Sequence, residues 1–327
     1  MPQLLEVTDL HVTYTTDAGP VQAVAGLDLR VGAGEVVGLV GESGCGKSAT
    51  ALSIMALLPR NVGRVTGGSI ALNGVDLVRE RESALRRVRG RDVAMVFQDP
   101  MTSLNPAYTV GDQLGEPLRT HLGMSRDEAA RRARELLDEV GIPQAARVAG
   151  DYPHQLSGGM RQRVVIAMAM ACRPKLLIAD EATTALDVTI QAQILDLLRE
   201  LQQESGMGLL LISHDLGVVA STCDRVAVMY AGRMVEEAGV AKLFAHPAHP
   251  YTRGLLDSIP RLDDERARLA SIPGQVPAPG QTPAGCRFSS RCSHVADRCR
   301  EREPGLVALG GGQASRCWLS LDEVEAR

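Results

Sequence analysis

A glycine-rich run that ends in lysine and serine has the residue types and spacing of a loop that binds phosphate groups. Residues 41–48 read GESGCGKS and follow an apolar, strand-like stretch at residues 36–40. The glycines let main-chain N–H groups converge on phosphate oxygens at the positive end of the following helix. We expect the Lys47 ammonium to reach the β- and γ-phosphates of a nucleotide and the Ser48 hydroxyl to bind Mg²⁺. The residues predicted to surround the phosphates are Gly41, Glu42, Ser43, Gly44, Cys45, Gly46, Lys47, Ser48 and Ala49. A Gly-rich turn before a helix is the alternative interpretation.

Two adjacent acids, Asp180 and Glu181, end a second apolar strand-like stretch at residues 176–179. A buried strand gains no stability from ending in paired carboxylates, so the pair indicates chemistry. Asp180 is predicted to hold Mg²⁺ through water, and Glu181 is predicted to act as general base on the attacking water. A pair of solvated loop acids, or of acids at a helix N-terminus, is the alternative.

Residues 156–160 read LSGGM and precede a helical run that extends to Ala171. Ser157 is predicted to cap this helix, with Gly158 and Gly159 in its first turn, so that free N–H groups point outward. Taken alone, the pattern also fits an ordinary helix cap.

In this context LSGGM resembles the signature of the ATP-binding cassette (ABC) ATPases, and the resemblance covers about residues 3–240. It implies that Ser157, Gly158 and Gly159 contact the γ-phosphate of an ATP held by another subunit, so that two ATP molecules bind between two such subunits. Further residues match the family's positions: Gln98 as the sensor of Mg²⁺ and water that links to membrane subunits, Asp187 at the end of a loop (residues 184–187) that crosses between the sites, His214 as the switch histidine at the γ-phosphate, and Tyr14 as the residue that stacks on adenine.

The resemblance therefore implies a catalytic set of Glu181, His214 and Gln98, and a Mg²⁺ set of Ser48, Gln98 and Asp180. The sequence departs from the family's common pattern at two positions. Met160 stands where many members have glutamine, and Ala182 stands where proline is common. Neither change removes a predicted catalytic group.

The elements that must position these residues can also be read from the sequence. Short β-rich runs separated by turns fill the first ninety residues, which indicates sheet and hairpins. Ser125 and Glu128 predict a capping box ahead of an amphipathic helix that Gly141 ends. A strand at 176–179, a helix at about 188–204 and a strand at 209–213 follow in βαβ order, which indicates a parallel sheet. Residues 226–236 predict a hairpin that turns at Ala231-Gly232.

We therefore predict an α/β fold of the P-loop NTPase class, the ABC ATPase. Its parts are a RecA-like parallel-sheet core, an antiparallel β subdomain, a helical subdomain that carries the signature at about residues 106–165, and a Cys-rich C-terminal extension. The predicted domains are residues 1–240, the ABC ATPase, and residues 241–327, the extension.

Composition sets limits on the class of protein. The 327 residues are 45% hydrophobic and 23% charged, as in soluble globular proteins, and the formal net charge of -4 gives no basic field for nucleic acid. The start, MPQLLEVTDL, does not resemble a signal peptide, and no run reaches the roughly 20 apolar residues of a membrane-spanning helix. We expect a peripheral protein on the cytoplasmic face of the cell membrane.

Two further motifs resemble the oligopeptide/dipeptide branch of ABC importers: YPHQ at residues 152–155 and HPYTR at residues 249–253. The resemblance implies an ATP-hydrolysing subunit that powers import of di- or oligopeptides, with nickel or another small solute as the alternative. Its implied partners are two membrane permeases, a second, related ATPase subunit and an extracytoplasmic solute-binding protein. Without the cassette, HPY would be a turn with an aromatic anchor.

Four of the seven cysteines gather near the C-terminus: Cys286, Cys292, Cys299 and Cys317. In a reducing compartment, clustered thiols favour a metal over disulfides, although the spacing is not the paired C-x₂-C of zinc ribbons. The branch resemblance implies a [4Fe–4S] cluster, with Zn²⁺ and free thiols as alternatives. Cys45, Cys172 and Cys223 are predicted to be small buried or loop residues.

Two other classes of function stay open. A soluble ABC ATPase acting on nucleic acid would usually carry two cassettes or an insertion within the cassette, and this chain has neither. A phosphate-loop kinase would have no use for LSGGM or the His214 switch. We expect no nucleic-acid partner.

Overall fold

The computed structural model describes residues 3–183, 186–259, 271–278 and 280–325. The strands are β1 (Gln3–Thr16), β2 (Gly19–Gly32), β3 (Val36–Val40), β4 (Gly63–Leu72), β5 (Val75–Asp76), β6 (Val93–Val96), β7 (Leu176–Asp180), β8 (Gly208–Ser213), β9 (Arg225–Tyr230), β10 (Arg233–Gly239), β11 (Val307–Gly310) and β12 (Gln313–Ser315). The helices are α1 (Lys47–Ile54), α2 (Glu82–Val88), α3 (Pro100–Ser103), α4 (Val110–Leu122), α5 (Arg126–Glu139), α6 (Ala145–Val148), α7 (Gly158–Met170), α8 (Val188–Ser205), α9 (Leu216–Thr222), α10 (Val240–Ala245), α11 (Pro250–Asp257), α12 (Asp297–Glu301) and α13 (Trp318–Glu325), with a short 3₁₀ helix at Pro153–Gln155.

The chain divides into two compact units, and the first is built mainly from residues 79–210. In this unit β6 and β7 pair in parallel, and every residue of both strands is buried. Helix α4 packs against α5 and α7. The first unit therefore joins a short piece of parallel sheet to a group of helices.

The second unit is built mainly from residues 5–30, 36–78 and 211–327. One sheet has the order β2-β1-β4-β5, with β1 antiparallel to β4 from Leu5 opposite Leu72 to Tyr14 opposite Gly63. Elsewhere in the unit, β3 pairs in parallel with β9, β9 is antiparallel to β10, and β10 continues through β12 to β11. Strand β3 is buried along its whole length and leads directly into the phosphate loop.

The local sequence signals are confirmed where they fall on described residues. Ser125 and Glu128 form the predicted capping box at the start of α5. The predicted strand, helix and strand at 176–213 are β7, α8 and β8, and the hairpin of β9 and β10 turns at Ala231-Gly232. The helix after the phosphate loop, α1, ends at Ile54.

Within the described ranges, no helix combines the length and the apolar character that crossing a membrane requires.

Candidate functional site

The phosphate loop lies between β3 and α1, and its first and third glycines are required by the space around them. Gly41 has φ +153°, and a Cβ there would lie 2.2 Å from the Met229 carbonyl oxygen. Gly46 has φ +108°, and a Cβ there would lie 2.6 Å from the Ala23 carbonyl oxygen. Both positions combine a positive φ with close main-chain neighbours, so only glycine fits without moving the backbone.

The Lys47 side chain is folded back along the loop. It is 5% exposed, and its Nζ donates to the Gly41 carbonyl at 2.7 Å and to the Glu42 carbonyl at 3.3 Å. Cys45 is buried as predicted, and burial raises the pKa of its thiol. The ammonium therefore lies inside the turn of the loop, where a cation suits bound phosphate.

Two other nucleotide-site candidates belong to the same unit. Tyr14 is half-buried on β1 and its ring packs against Gly63, where a Cβ would lie 2.9 Å from the ring. His214 is exposed directly after β8, and the next residue, Asp215, caps α9 by accepting from the Gly217 and Val218 N–H groups. The roles of Tyr14 at adenine and of His214 at the γ-phosphate stay predictions.

Gln98 and Glu181, which are 83 residues apart in sequence, meet in the first unit. The Gln98 Nε2 donates to the Glu181 Oε2 at 2.9 Å. Glu181 follows β7 with φ +48°, a conformation that non-glycine residues rarely adopt. Asp180, the last residue of β7, is 5% exposed. The structure thus brings two of the three predicted catalytic residues, Gln98 and Glu181, into contact. It also buries the predicted Mg²⁺ ligand Asp180, which directly precedes Glu181.

The signature serine caps α7. Its Oγ accepts from the Met160 N–H at 3.3 Å, as the sequence predicts. The two glycines differ in surroundings, because a Cβ on Gly159 would lie 2.9 Å from Ile190 whereas one on Gly158 would meet nothing closer than 3.9 Å. Packing against α8 therefore explains why glycine is needed at position 159, but it does not explain the glycine at position 158.

Asp187 caps the following helix, α8, by accepting from the Ile190 N–H at 3.0 Å. The predicted crossing loop at residues 184–187 is described only from Leu186 onward, because Thr184 and Ala185 lie outside the described residues. The role of Asp187 between two sites stays a prediction.

The four C-terminal cysteines, Cys286, Cys292, Cys299 and Cys317, all line one cavity of the second unit. Burial raises the pKa of the Cys286 thiol to about 11, and main-chain N–H groups near Cys286, Cys292 and Cys317 act in the opposite direction by hydrogen bonding to sulfur. Among the described residues, no group of three or more His, Cys, Asp or Glu side chains is arranged to hold one metal ion.

The sequence predicts Glu42 only as a member of the phosphate loop, but the structure gives its side chain and main chain distant partners. The Glu42 carboxylate pairs with Arg291, and its N–H donates to the Tyr251 hydroxyl. Both partners belong to motifs that the sequence does display, because Arg291 directly precedes Cys292 and Tyr251 ends HPY. Their spacing gives no sign that they reach the phosphate loop.

Comparison with known proteins identifies the family. Residues 24–184 match the family model described as ABC transporter, and residues 235–299 match the one described as oligopeptide/dipeptide transporter, C-terminal region. A relative from Brucella melitensis, named as a peptide import ATP-binding protein, is 56% identical over 99% of this chain and 98% of its own length. The oligopeptide transport ATP-binding protein AppD of Bacillus subtilis is 50% identical over 99% of this chain and 98% of its own length.

A solved structure extends the likeness to the fold. A dimeric ATP-binding cassette in a post-hydrolysis state with ADP and phosphate has a TM-score of 0.65 and 29% identity, covering 72% of this chain and 98% of that one. With a phosphate loop, a paired acid and a capped signature helix in place, the chain belongs to the ABC transporter family and is one of its ATP-hydrolysing subunits.

Proposed function

We propose that this chain is the ATP-binding subunit that powers an importer of di- or oligopeptides. The observation that carries the proposal is the match of residues 235–299 to the C-terminal region of oligopeptide/dipeptide transporters, which lies beyond the part shared by all cassettes. The names of the full-length relatives point to the same cargo. Nickel or another small solute remains the second candidate, because the cargo itself contacts other chains.

The proposed assembly has two permeases in the membrane, this chain and a second, related ATPase at their cytoplasmic face, and a solute-binding protein on the other side. In this arrangement the chain is a peripheral membrane protein and has no nucleic-acid partner. We also propose that residues 1–240 form the ATPase, with the signature carried on a helical subdomain at about 106–165, and that residues 241–327 form an extension specific to this branch.

The proposed chemistry assigns a task to each candidate residue. Main-chain N–H groups of the phosphate loop and the Lys47 ammonium bind the β- and γ-phosphates, and Tyr14 stacks on adenine. Ser48, Gln98 and Asp180 would hold Mg²⁺, which would supply positive charge against the phosphates. Glu181 takes the proton of the attacking water, and Gln98 orients its carboxylate. His214 contacts the γ-phosphate. Ser157, Gly158 and Gly159 contact the γ-phosphate of the ATP held by the neighbouring subunit.

A strain that lacks this chain tests the cargo. We expect uptake of a radiolabelled tripeptide to fall by at least about tenfold, because import against a gradient requires ATP hydrolysis, and nickel uptake to stay unchanged. Wild-type chain should restore uptake, whereas Lys47→Ala should not. Two permeases and a second ATPase should co-purify with the wild-type chain. Lost nickel uptake with normal peptide uptake would replace the proposed cargo by the second candidate.

We further propose that Cys286, Cys292, Cys299 and Cys317 hold a [4Fe–4S] cluster. The donor set fits, because four thiols line one cavity and N–H groups hydrogen-bond to sulfur, as they do around iron–sulfur clusters. Zn²⁺ bound by the same four thiols is the second candidate. These four thiolates would hold the cluster, which would supply a cross-link that orders the chain around them.

Metal analysis of anaerobically purified protein tests the cluster. We expect brown protein with a broad absorption shoulder near ~400 nm, about four irons per chain and little zinc. Cys292→Ser should lose most of the iron, because it removes one of the four proposed thiolate ligands. Cys172→Ser, which changes a cysteine outside the cavity, should keep it. Colourless protein with one zinc per chain would support the zinc alternative, and protein without metal would reject a metal at these cysteines.

A further inference from the structure

The side chain of Glu42 in the phosphate loop is held by an arginine 249 residues further along the chain. The Arg291 Nη1 donates to the Glu42 Oε2 at 2.6 Å and Nη2 donates to Oε1 at 3.0 Å. The Arg291 side chain is only 3% exposed, so solvent screens this bidentate salt bridge weakly.

Arg291 is itself fixed in position by other contacts. Its Nε donates to the Pro273 carbonyl at 2.9 Å, and Nη2 donates to the Ile272 carbonyl at 3.3 Å. The guanidinium carbon lies 5.8 Å from the ring centre of Tyr230 and 6.0 Å from that of Phe288. A guanidinium held on this many sides loses little freedom when it binds a carboxylate, so it can hold Glu42 in one place.

The main chain of Glu42 is held independently by Tyr251, whose hydroxyl accepts from the Glu42 N–H at 2.9 Å. Tyr251 is fully buried in the first turn of α11, where its own N–H donates to the His249 Nδ1 at 3.0 Å. Burial lowers the pKa of His249 to about 3, so the imidazole stays neutral and keeps that acceptor. The HPY triplet therefore delivers a fixed hydroxyl to the phosphate loop.

The third polar group of Glu42 faces the loop itself. Its carbonyl oxygen accepts from the Lys47 Nζ at 3.3 Å and from the Cys45 N–H at 3.3 Å. The carboxylate, the N–H and the carbonyl of this one residue are thus all engaged, two of them by the C-terminal part of the chain. A change at Arg291 or Tyr251 acts on the residue that closes the turn around Lys47.

We propose that Tyr251 and Arg291 are positioning residues for ATP binding, which hold the phosphate loop in its binding shape through Glu42. If they are lost, the loop must be ordered when ATP binds, and that ordering cost lowers affinity. Once ATP is bound, the loop has its normal shape and hydrolysis proceeds at the normal rate. A positioning role therefore predicts a raised KM for ATP with a nearly unchanged kcat.

Kinetics of the assembled transporter test the proposal. We expect Arg291→Gln to raise the KM for MgATP by about tenfold and Tyr251→Phe by about threefold, with kcat within about twofold of wild type. Adding Glu42→Gln to Arg291→Gln should raise the KM little further, because Arg291 acts on the loop through the Glu42 carboxylate. Arg298→Gln is the matched control, since Arg298 pairs with Asp322 and its contacts lie away from the phosphate loop.

Alkylation of Cys45 by iodoacetamide, followed by mass spectrometry, reports the loop directly. Cys45 is 1% exposed in the loop, and Cys223, 9% exposed in the same unit, is the internal reference. We expect both variants to speed modification of Cys45 by about tenfold and to leave Cys223 unchanged, because only the loop opens. Wild-type KM and wild-type Cys45 protection would overturn the proposal. Equal acceleration at both cysteines would also overturn it, because that result indicates global destabilisation.

Discussion

A Glu181→Gln variant of this ATPase is expected to bind ATP with normal affinity and to hydrolyse it at least about 100 times more slowly. In the proposed step the carboxylate takes a proton from water as the water oxygen bonds to the γ-phosphorus. The bond from that phosphorus to the β–γ bridging oxygen breaks, and ADP leaves with its electron pair. An amide cannot take that proton. The measurements are phosphate release by the assembled transporter and the Kd for MgATP of the isolated chain.

The contact between Gln98 and Glu181 makes this substitution a clean test of basicity. Gln98 donates its Nε2 to the carboxylate at 2.9 Å, and the amide oxygen of an introduced glutamine can accept the same hydrogen bond. Glu181 and glutamine also have nearly the same size and face the same backbone strain at φ +48°. The variant should therefore keep the shape of the site and lose only the ability to accept a proton.

Glu204→Gln is the control, because Glu204 is an exposed acid on α8 in the same unit. It should hydrolyse ATP at the wild-type rate. Nucleotide should accumulate on the Glu181→Gln transporter and stay as ATP. Wild-type hydrolysis by Glu181→Gln would remove Glu181 from the role of general base.

Local signals predicted much of the fold because each of them acts over one turn of helix or one strand. The capping box of α5 needs only Ser125 and Glu128, which are three residues apart, and the structure forms it. The apolar run before Asp180 is β7, buried along its length. These elements follow from hydrogen bonding and side-chain patterning within a short window of sequence.

Contacts between distant residues could not be predicted in this way. The pair of Glu42 and Arg291 spans 249 residues, and nothing near either residue specifies the other. The addition of β12 to the edge of β10 likewise depends on residues about 80 positions apart, Glu236 and Ser315. Such pairings are set by how whole elements pack, so the sequence identified HPY as a motif of the importer branch and did not predict its contact with the phosphate loop.

The glycines of the signature show the same limit within a single motif. From the sequence, LSGGM predicts the same role for both glycines, in the first turn of a helix whose free N–H groups point outward. In the structure Gly159 is needed for the close approach of Ile190, while Gly158 has ordinary contacts only. A requirement for glycine at position 159 thus has a packing cause, and position 158 is the better candidate for contact with a ligand.

Ser157 caps its own helix, α7, and is also predicted to contact the ATP of a neighbouring subunit. As the N-cap of α7 it accepts from the Met160 N–H, and losing a cap costs about 1 kcal/mol of stability. Any substitution at Ser157 that removes the cap therefore lowers the stability of the fold, whatever its effect on ATP. Ser125, the N-cap of α5 in the same unit, offers a matched position with a cap of its own.

We expect Ser157→Arg to leave the Kd for MgATP of the isolated chain within about threefold of wild type, because its own phosphate loop is intact. ATP-driven pairing of the ATPase subunits should be lost, since an arginine would fill the space that the neighbour's γ-phosphate must occupy, and hydrolysis by the transporter should fall by about 100-fold. The measurements are nucleotide titration, MgATP-dependent dimerisation in the Glu181→Gln background by gel filtration, and phosphate release. Ser125→Arg should lower the Tm to a similar extent yet keep dimerisation and hydrolysis. If Ser157→Arg weakens ATP binding by the isolated chain as severely as Lys47→Ala does, Ser157 acts on its own subunit's nucleotide and the assignment to the neighbour's ATP is wrong.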